Sequence, residues 1–262
     1  MSKTACILFH YFGEKSYVVQ LAQDTVPLNI ALRGYDKTVL LRHSVEAGPF
    51  EVSPKAVGMS TVVELPTREN LVKYLNLLGG EGYLVDLYIF SHGSPGSFRV
   101  SRGTYGDNTL ISSRYLEAKV EPLNLRMVWQ CNCYGSTMNP TWRRLGAKVT
   151  GGSRYVNFFP TRFRRFAQSW SRGMSYSKAL VMAAKADRFW THLYILKDAF
   201  AQRKVWGGSL WNFWRVLGRS KAARDYFTLR WGSPEFPEGQ SGAEHMVWTS
   251  DMLVEGDLRT SR

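Results

Sequence analysis

Cysteine is scarce in this chain, with three in 262 residues: Cys6, Cys131 and Cys133. So few exclude a disulfide framework, and they point to free thiols in a reducing compartment, with the cytoplasm as the expected location. Cys131 and Cys133 lie two apart on an expected strand, too constrained to pair with each other. Long apolar runs are missing too. None approaches the roughly 18 residues that read as a membrane-spanning helix, so no transmembrane segment is expected. Near the start, Lys3 precedes the short apolar run from Ala5 to Phe12, but Glu14 and Lys15 follow at once without a small-residue cleavage site. That run reads as a first core strand rather than a signal peptide. His10, His43, His192 and His245 lack a cysteine or acid at metal-ligand spacing, so no metal site is expected, and no cofactor either. Internal repeats and low-complexity tracts are absent.

Acids are thin in one half. Residues 141–225 hold 18 Lys and Arg against Asp187, Asp198 and Asp225, so this stretch alone exceeds the chain's net charge of +13. A basic half implies an acidic partner (nucleic acid, an acidic protein or an anionic surface) or else a solvated basic face. With 44% hydrophobic residues and nine Trp, the chain can bury a large core, and disorder does not describe it. Its length suits one large α/β domain, or a domain of about 200 residues with an extension.

Taken in order, Thr4–Tyr11, Lys37–Arg42 and Thr61–Leu65 read as strands. Thr67 is a helix N-cap, and Leu71, Tyr74, Leu75 and Leu78 repeat at helical spacing until Gly79-Gly80. A strand over Tyr83–Phe90 follows, then an irregular stretch from Arg99 to Ser113 that is either a hairpin or an active-site loop. Met127–Cys133 is the next strand. Asn139-Pro140 caps a short helix, and Ala147–Thr150 is a strand ending in Gly151-Gly152-Ser153. Helices are expected over 161–170, 175–186 and 187–203, and a strand over 245–249. Alternating strands and helices predict an α/β fold: a three-layer sandwich around a mostly parallel sheet of about six strands. Beyond Trp206 the character changes to a helical, Trp-rich extension, giving a division at 1–205 and 206–262.

Two stretches carry the chemistry. YLVDLYIFSHG (83–93) is an apolar run that ends in Ser91-His92-Gly93, and LRMVWQCNCYG (125–135) is another that ends in cysteine. Such runs closed by glycine and polar residues read as strands buried on both faces, and in an open parallel sheet ligands bind at the strands' carboxyl ends. A histidine and a cysteine on that rim set a general base beside a thiol. Thiolate is the nucleophilic form, and a neighbouring imidazole can take its proton. Strand alternation puts Cys131 and Cys133 on one face. Cys133, nearer the rim and the Tyr134-Gly135-Ser136 turn, is the favoured nucleophile. Gln130 points to the opposite face and reads as structural.

Strand–Ser91-His92-Gly93 followed by strand–Gln130-Cys131-Asn132-Cys133-Tyr134-Gly135 resembles the caspase-like (clan CD) cysteine peptidases, which include caspases, metacaspases, legumain and bacterial CHAT-type proteases. The caspase pattern sets the histidine about 50 residues before the cysteine; here the separation is 41. Leu65-Pro66-Thr67-Arg68-Glu69-Asn70-Leu71, Gly146 to Ser153 and Gly173-Met174-Ser175 extend the likeness over roughly residues 4–190. The resemblance implies a caspase-like peptidase domain and a cysteine endopeptidase acting on protein or peptide substrates. His92 is then the base, Cys133 the nucleophile, and the N–H groups of Gly93 and Cys133 the oxyanion hole. Cys131 stands where caspases carry Gln and several relatives an acid, so cleavage preference stays open. Cys131, Ser153 and Arg154 are the candidate substrate-pocket residues. The alternative is a catalytically silent caspase-like module that binds nucleic acid or a protein partner through its basic C-terminal half.

Overall fold

The computed structural model describes residues 3–11, 34–42, 61–101, 109–153, 161–183 and 252–256. At its centre is a seven-stranded sheet made of β1 (Thr4–Tyr11), β2 (Lys37–Arg42), β3 (Thr61–Glu64), β4 (Leu84–Ser91), β8 (Leu125–Gln130), β9 (Val149–Ser153) and β10 (Met252–Gly256). The order across the sheet is β10-β9-β8-β4-β1-β2-β3. Within this sheet β1, β2, β3, β4, β8 and β9 run parallel, and only β10 is antiparallel. From β1 the chain builds outward through β2 and β3, then returns to the other side of β1 as β4. The connection order therefore reverses between β1 and β4, where open α/β sheets bind ligands at the carboxyl ends of the strands.

Alternation along the strands sorts the apolar residues into two layers. On one face, Ala5, Ile7 and Phe9 of β1 and Val85, Leu87 and Ile89 of β4 form a buried cluster with Leu71, Tyr74, Leu75 and Leu78. Those four belong to α1 (Arg68–Gly80), whose cap Thr67 accepts the Asn70 N–H at 3.1 Å. Leu116 of α2 (Ser113–Lys119) and Trp142 of α3 (Asn139–Arg144) complete that layer. On the other face, Cys6 and Leu8, Tyr88 and Phe90, and Met127 and Trp129 pack under Phe166, Ala167 and Trp170 of α4 (Thr161–Ser171). Tyr176, Ala179 and Ala183 of α5 (176–183) close the second layer. A sheet covered on both faces needs apolar residues at every strand position, which is why these strands read as unbroken runs.

The second layer holds a buried ion pair. A register shift between Val85 and Asp86 turns Arg126 onto the same face as Asp86. Its guanidinium donates to the Asp86 carboxylate at 2.7 and 2.5 Å, and Tyr35 Oη and Trp170 Nε1 donate to the same carboxylate at 2.5 and 2.6 Å. Burial alone lowers a guanidinium's pKa, but hydrogen bonds and the charge of Asp86 overcome it and raise that of Arg126.

Several boundaries differ from the sequence reading. The α1 helix runs through Gly79 and Gly80 and ends in a Schellman turn at Gly82, with Tyr83 N–H donating to Leu78 O at 3.0 Å. Asn139 is not a cap: its side-chain oxygen accepts from Gln130 Nε2 at 2.9 Å and Thr150 Oγ1 at 3.1 Å inside the first layer. The α2 helix, unforeseen, is a single short span capped by Ser112 Oγ. Gly151, Gly152 and Ser153 lie within β9 rather than beyond it, because β10 pairs alongside them. At the two ends of the stretch from Arg99 to Ser113 the chain is paired: β5 (Gly93–Ser94), β6 (Ser97–Arg99) and β7 (Leu110–Ser112) form a separate antiparallel sheet. The helix at 187–203, the strand at 245–249 and the Trp-rich cluster after 206 lie outside the described residues, as does much of the basic stretch. Among the described residues no helix is long and apolar enough to cross a membrane.

Candidate active site

The strands β4 and β8 pair in parallel with Ile89 opposite Gln130, so they end almost level. Past the end of β8, Cys131 N–H still donates to Ile89 O at 2.8 Å. His92 and Cys133 thus leave neighbouring strands at the same carboxyl rim. The strand β8 stops at Gln130, three residues short of its expected end. Its chain turns because Gly135 N–H closes back onto Asn132 O at 3.2 Å and a 3-10 turn begins at Gly135. Tyr134 enters that turn at φ 55°, the left-handed region that non-glycine residues seldom occupy.

Two close approaches lock this rim. A β-carbon on Gly93 would stand 2.2 Å from the Cys133 backbone oxygen and 2.7 Å from Asn132 Nδ2. No side chain fits there, so the residue after His92 lies directly on the peptide that follows Cys133. A β-carbon on Gly152 would stand 2.4 Å from the carbonyl carbon of Gly135 and 2.5 Å from Ser136 N, so β9 presses on the turn from the other side. Thr137 ties the two loops together. Its hydroxyl accepts the Gly96 N–H at 2.8 Å and donates to Tyr134 O at 2.7 Å.

The histidine loop is held from its own side. Arg99 N–H donates to His92 O at 2.8 Å, and the Ser91 hydroxyl donates to Arg99 O at 2.6 Å. Antiparallel pairs alternate between hydrogen-bonded and open. With His92–Arg99 bonded, the Gly93–Phe98 pair is the open one, and the Gly93 N–H is directed away from β6. His92 itself is exposed, and Cys133 is half-buried.

Cys131 is buried in the second layer among Phe90 and Trp129. None of the three cysteines is in a disulfide. Gln130 lies in the first layer as expected, accepting from Trp142 Nε1 at 3.1 Å. Ser153 closes β9, its backbone paired with Met252 of β10, while Arg154 lies outside the described residues. A cleft of about 420 Å³ opens beside the histidine, lined by His92, Gly93, Ser94, Arg99, Thr109 and Leu110. Cys131 is not among the described residues that line it. Sequence reasoning passed over Asn132, Thr137 and Arg99. Asn132 is buried between the glycines, with its Nδ2 donating to Cys133 O at 3.4 Å. Asn132 and Thr137 matter through Gly93 and Gly96, about forty residues away, and Arg99 through the strand pairing that sets it beside His92.

On the same rim, His10 at the end of β1 pairs across to Phe90 and Arg42. Burial, and then the nearby charge of Arg42, push its imidazole down to about 4. Among the described residues no group of three or more His, Cys, Asp or Glu is placed to hold a metal ion.

No family model and no curated protein matches the chain. A solved structure described as "Structure of Protease" superposes with a TM-score of 0.41 at 11% identity, covering 93% of this chain and 52% of that one. The chain therefore spans about half the length of that structure.

Proposed function

We propose that this chain is a cysteine peptidase in which Cys133 is the nucleophile and His92 its acid–base partner. The observation that carries this reading is the contact of Gly93 with the Cys133 backbone oxygen, closer than any side chain permits. Residue 92 is thereby held against the turn that carries the only half-exposed thiol among the described cysteines.

In the proposed cycle, the His92 imidazole takes the Cys133 thiol proton and the thiolate attacks the scissile carbonyl carbon. Negative charge gathers on the carbonyl oxygen, where the N–H groups of Gly93 and Cys133 serve as donors. The orientation of the Gly93 N–H away from β6 supports its part in this. The imidazolium gives its proton to the leaving amine as the carbon–nitrogen bond breaks, which leaves an acyl thioester on Cys133. Water then attacks the thioester, with His92 taking a proton from it and returning one to the departing thiol. Cys131 is too buried to reach a protein substrate.

The test is peptide cleavage with labelling by a thiol-directed covalent probe. Cys133→Ala abolishes both, Cys131→Ala keeps both, and His92→Ala loses turnover by about 10²–10⁴-fold with an unchanged circular dichroism spectrum. Activity that survives Cys133→Ala but disappears in Cys131→Ala assigns the nucleophile to the other cysteine. Unchanged turnover in His92→Ala removes the pair altogether. A protein that cleaves nothing but binds nucleic acid in a salt-dependent way favours the silent-module alternative.

A further inference from the structure

The cleft beside His92 has a definite chemical character. The described residues that line it are His92, Gly93, Ser94, Arg99, Thr109 and Leu110 (46% exposed), a set that offers an imidazole, two hydroxyls, an apolar side chain and a guanidinium. Among the described residues that line it, none is an acid. Among the described residues no carboxylate pairs with Arg99, whereas five other cations each hold one. Its position is set by the backbone. Phe98 is fully buried against Phe9 with ring centroids 5.5 Å apart, and strand alternation then turns Arg99 outward. Hydrogen bonds on both its N–H and its carbonyl fasten Arg99 to His92 and Ser91. The volume falls in the range of built ligand sites.

Which part of a substrate lies here follows from the chemistry of the proposed cycle, on which this step rests. During attack the acyl half becomes bonded to Cys133, while the amine half takes its proton from His92. Cys133 is not among the residues lining the cleft, and His92 is. The cleft is thus on the leaving-group side.

We infer that this cleft is the subsite for the residue immediately after the scissile bond, and that Arg99 selects an acidic side chain there. Glutamate fits better than aspartate, because its longer stem lies along Leu110 while its carboxylate reaches the guanidinium. A fixed fork of donors facing a carboxylate gives a stronger, more oriented contact than an ammonium does.

Two assays test this. The first measures kcat/KM on quenched peptides that differ only in the residue after the cut. Wild type prefers Glu over Lys by about tenfold or more, as one charge-assisted contact allows. Arg99→Ala brings the two to parity, Arg99→Glu reverses the order, and Arg99→Lys keeps part of the preference. The second measures binding of amine-side product peptides, N-terminal Glu against N-terminal Lys, to Cys133→Ala by fluorescence anisotropy. The Glu peptide binds more tightly, and adding Arg99→Ala removes the difference. Cleavage with no Arg99-dependent preference overturns the subsite and leaves the peptidase standing. Arg99-dependent binding of the Glu peptide without any cleavage by wild type keeps the acidic subsite and overturns the peptidase. Equal binding of both peptides overturns the subsite whatever the turnover.

Discussion

Gly93 and Cys133 are 40 residues apart in sequence, yet a single added carbon on Gly93 would overlap the Cys133 backbone oxygen at 2.2 Å. The contact is backbone against backbone, so no side-chain rotation can relieve it. It joins the loop that carries His92 to the turn that carries the thiol.

Gly93→Ala must push the two loops apart. A displacement near 1 Å at a reacting pair costs about 10²-fold in rate, so kcat/KM falls by that order. Both loops lie at the surface rim, so melting temperature drops far less than for a core substitution. A variant with wild-type kcat/KM would show that the contact does not position the pair.

Thr137→Val removes the hydroxyl that accepts from Gly96 and donates to Tyr134. Stability falls by about 1–2 kcal/mol for the two exposed-side hydrogen bonds. Turnover falls as well, but less than in Gly93→Ala. Thr137→Ser keeps the hydroxyl and restores both. Urea titrations beside steady-state kinetics on the three proteins separate these outcomes.

Arg126→Met leaves the Asp86 carboxylate buried with only the Tyr35 and Trp170 donors. Stranding one partner of a buried pair costs about 3–5 kcal/mol. Adding Asp86→Asn recovers part of it, because a neutral amide oxygen still accepts from Tyr35 and Trp170. Chemical denaturation of the single and double variants measures the coupling. A double variant no more stable than Arg126→Met contradicts the account.

His10 sets a pH dependence. Its imidazole lies at about 4 in the folded protein against an ordinary 6.5, so the unfolded chain binds the proton more readily. Its contribution is complete above pH 6.5 and disappears as pH falls from 6.5 through 4, up to about 3 kcal/mol. His10→Phe keeps a ring beside Phe90, whose centroid is 6.1 Å from that of the imidazole, and flattens this slope. Unfolding midpoints at pH 4, 5, 6 and 7 read it. Equal slopes in both proteins would exclude His10 as the source.

Much of the sheet was legible from residues alone. Strands buried on both faces have no polar alternation, so TACILFHY, KTVLLR and LVDLYIFS stand out as continuous runs. Thr67 announced its helix because capping is a local hydrogen bond. The order His92-then-Cys133 at two strand ends was visible for the same reason. Boundaries at glycines and at Asn139 were not, because tertiary neighbours decided them: β10 drew Gly151-Gly152-Ser153 into the sheet, and Gln130 and Thr150 turned Asn139 from cap to buried acceptor.

The sequence by itself determined the α/β class, the parallel core and the residue types at the rim, since these depend on patterns within a few residues. Only the tertiary structure decided that Gly93 lies on Cys133, that Thr137 bridges the loops, and that Arg99 faces the cleft beside His92. The first two join segments about forty residues apart and the third joins the two arms of a short hairpin, and strand register, not local propensity, sets which of their atoms meet.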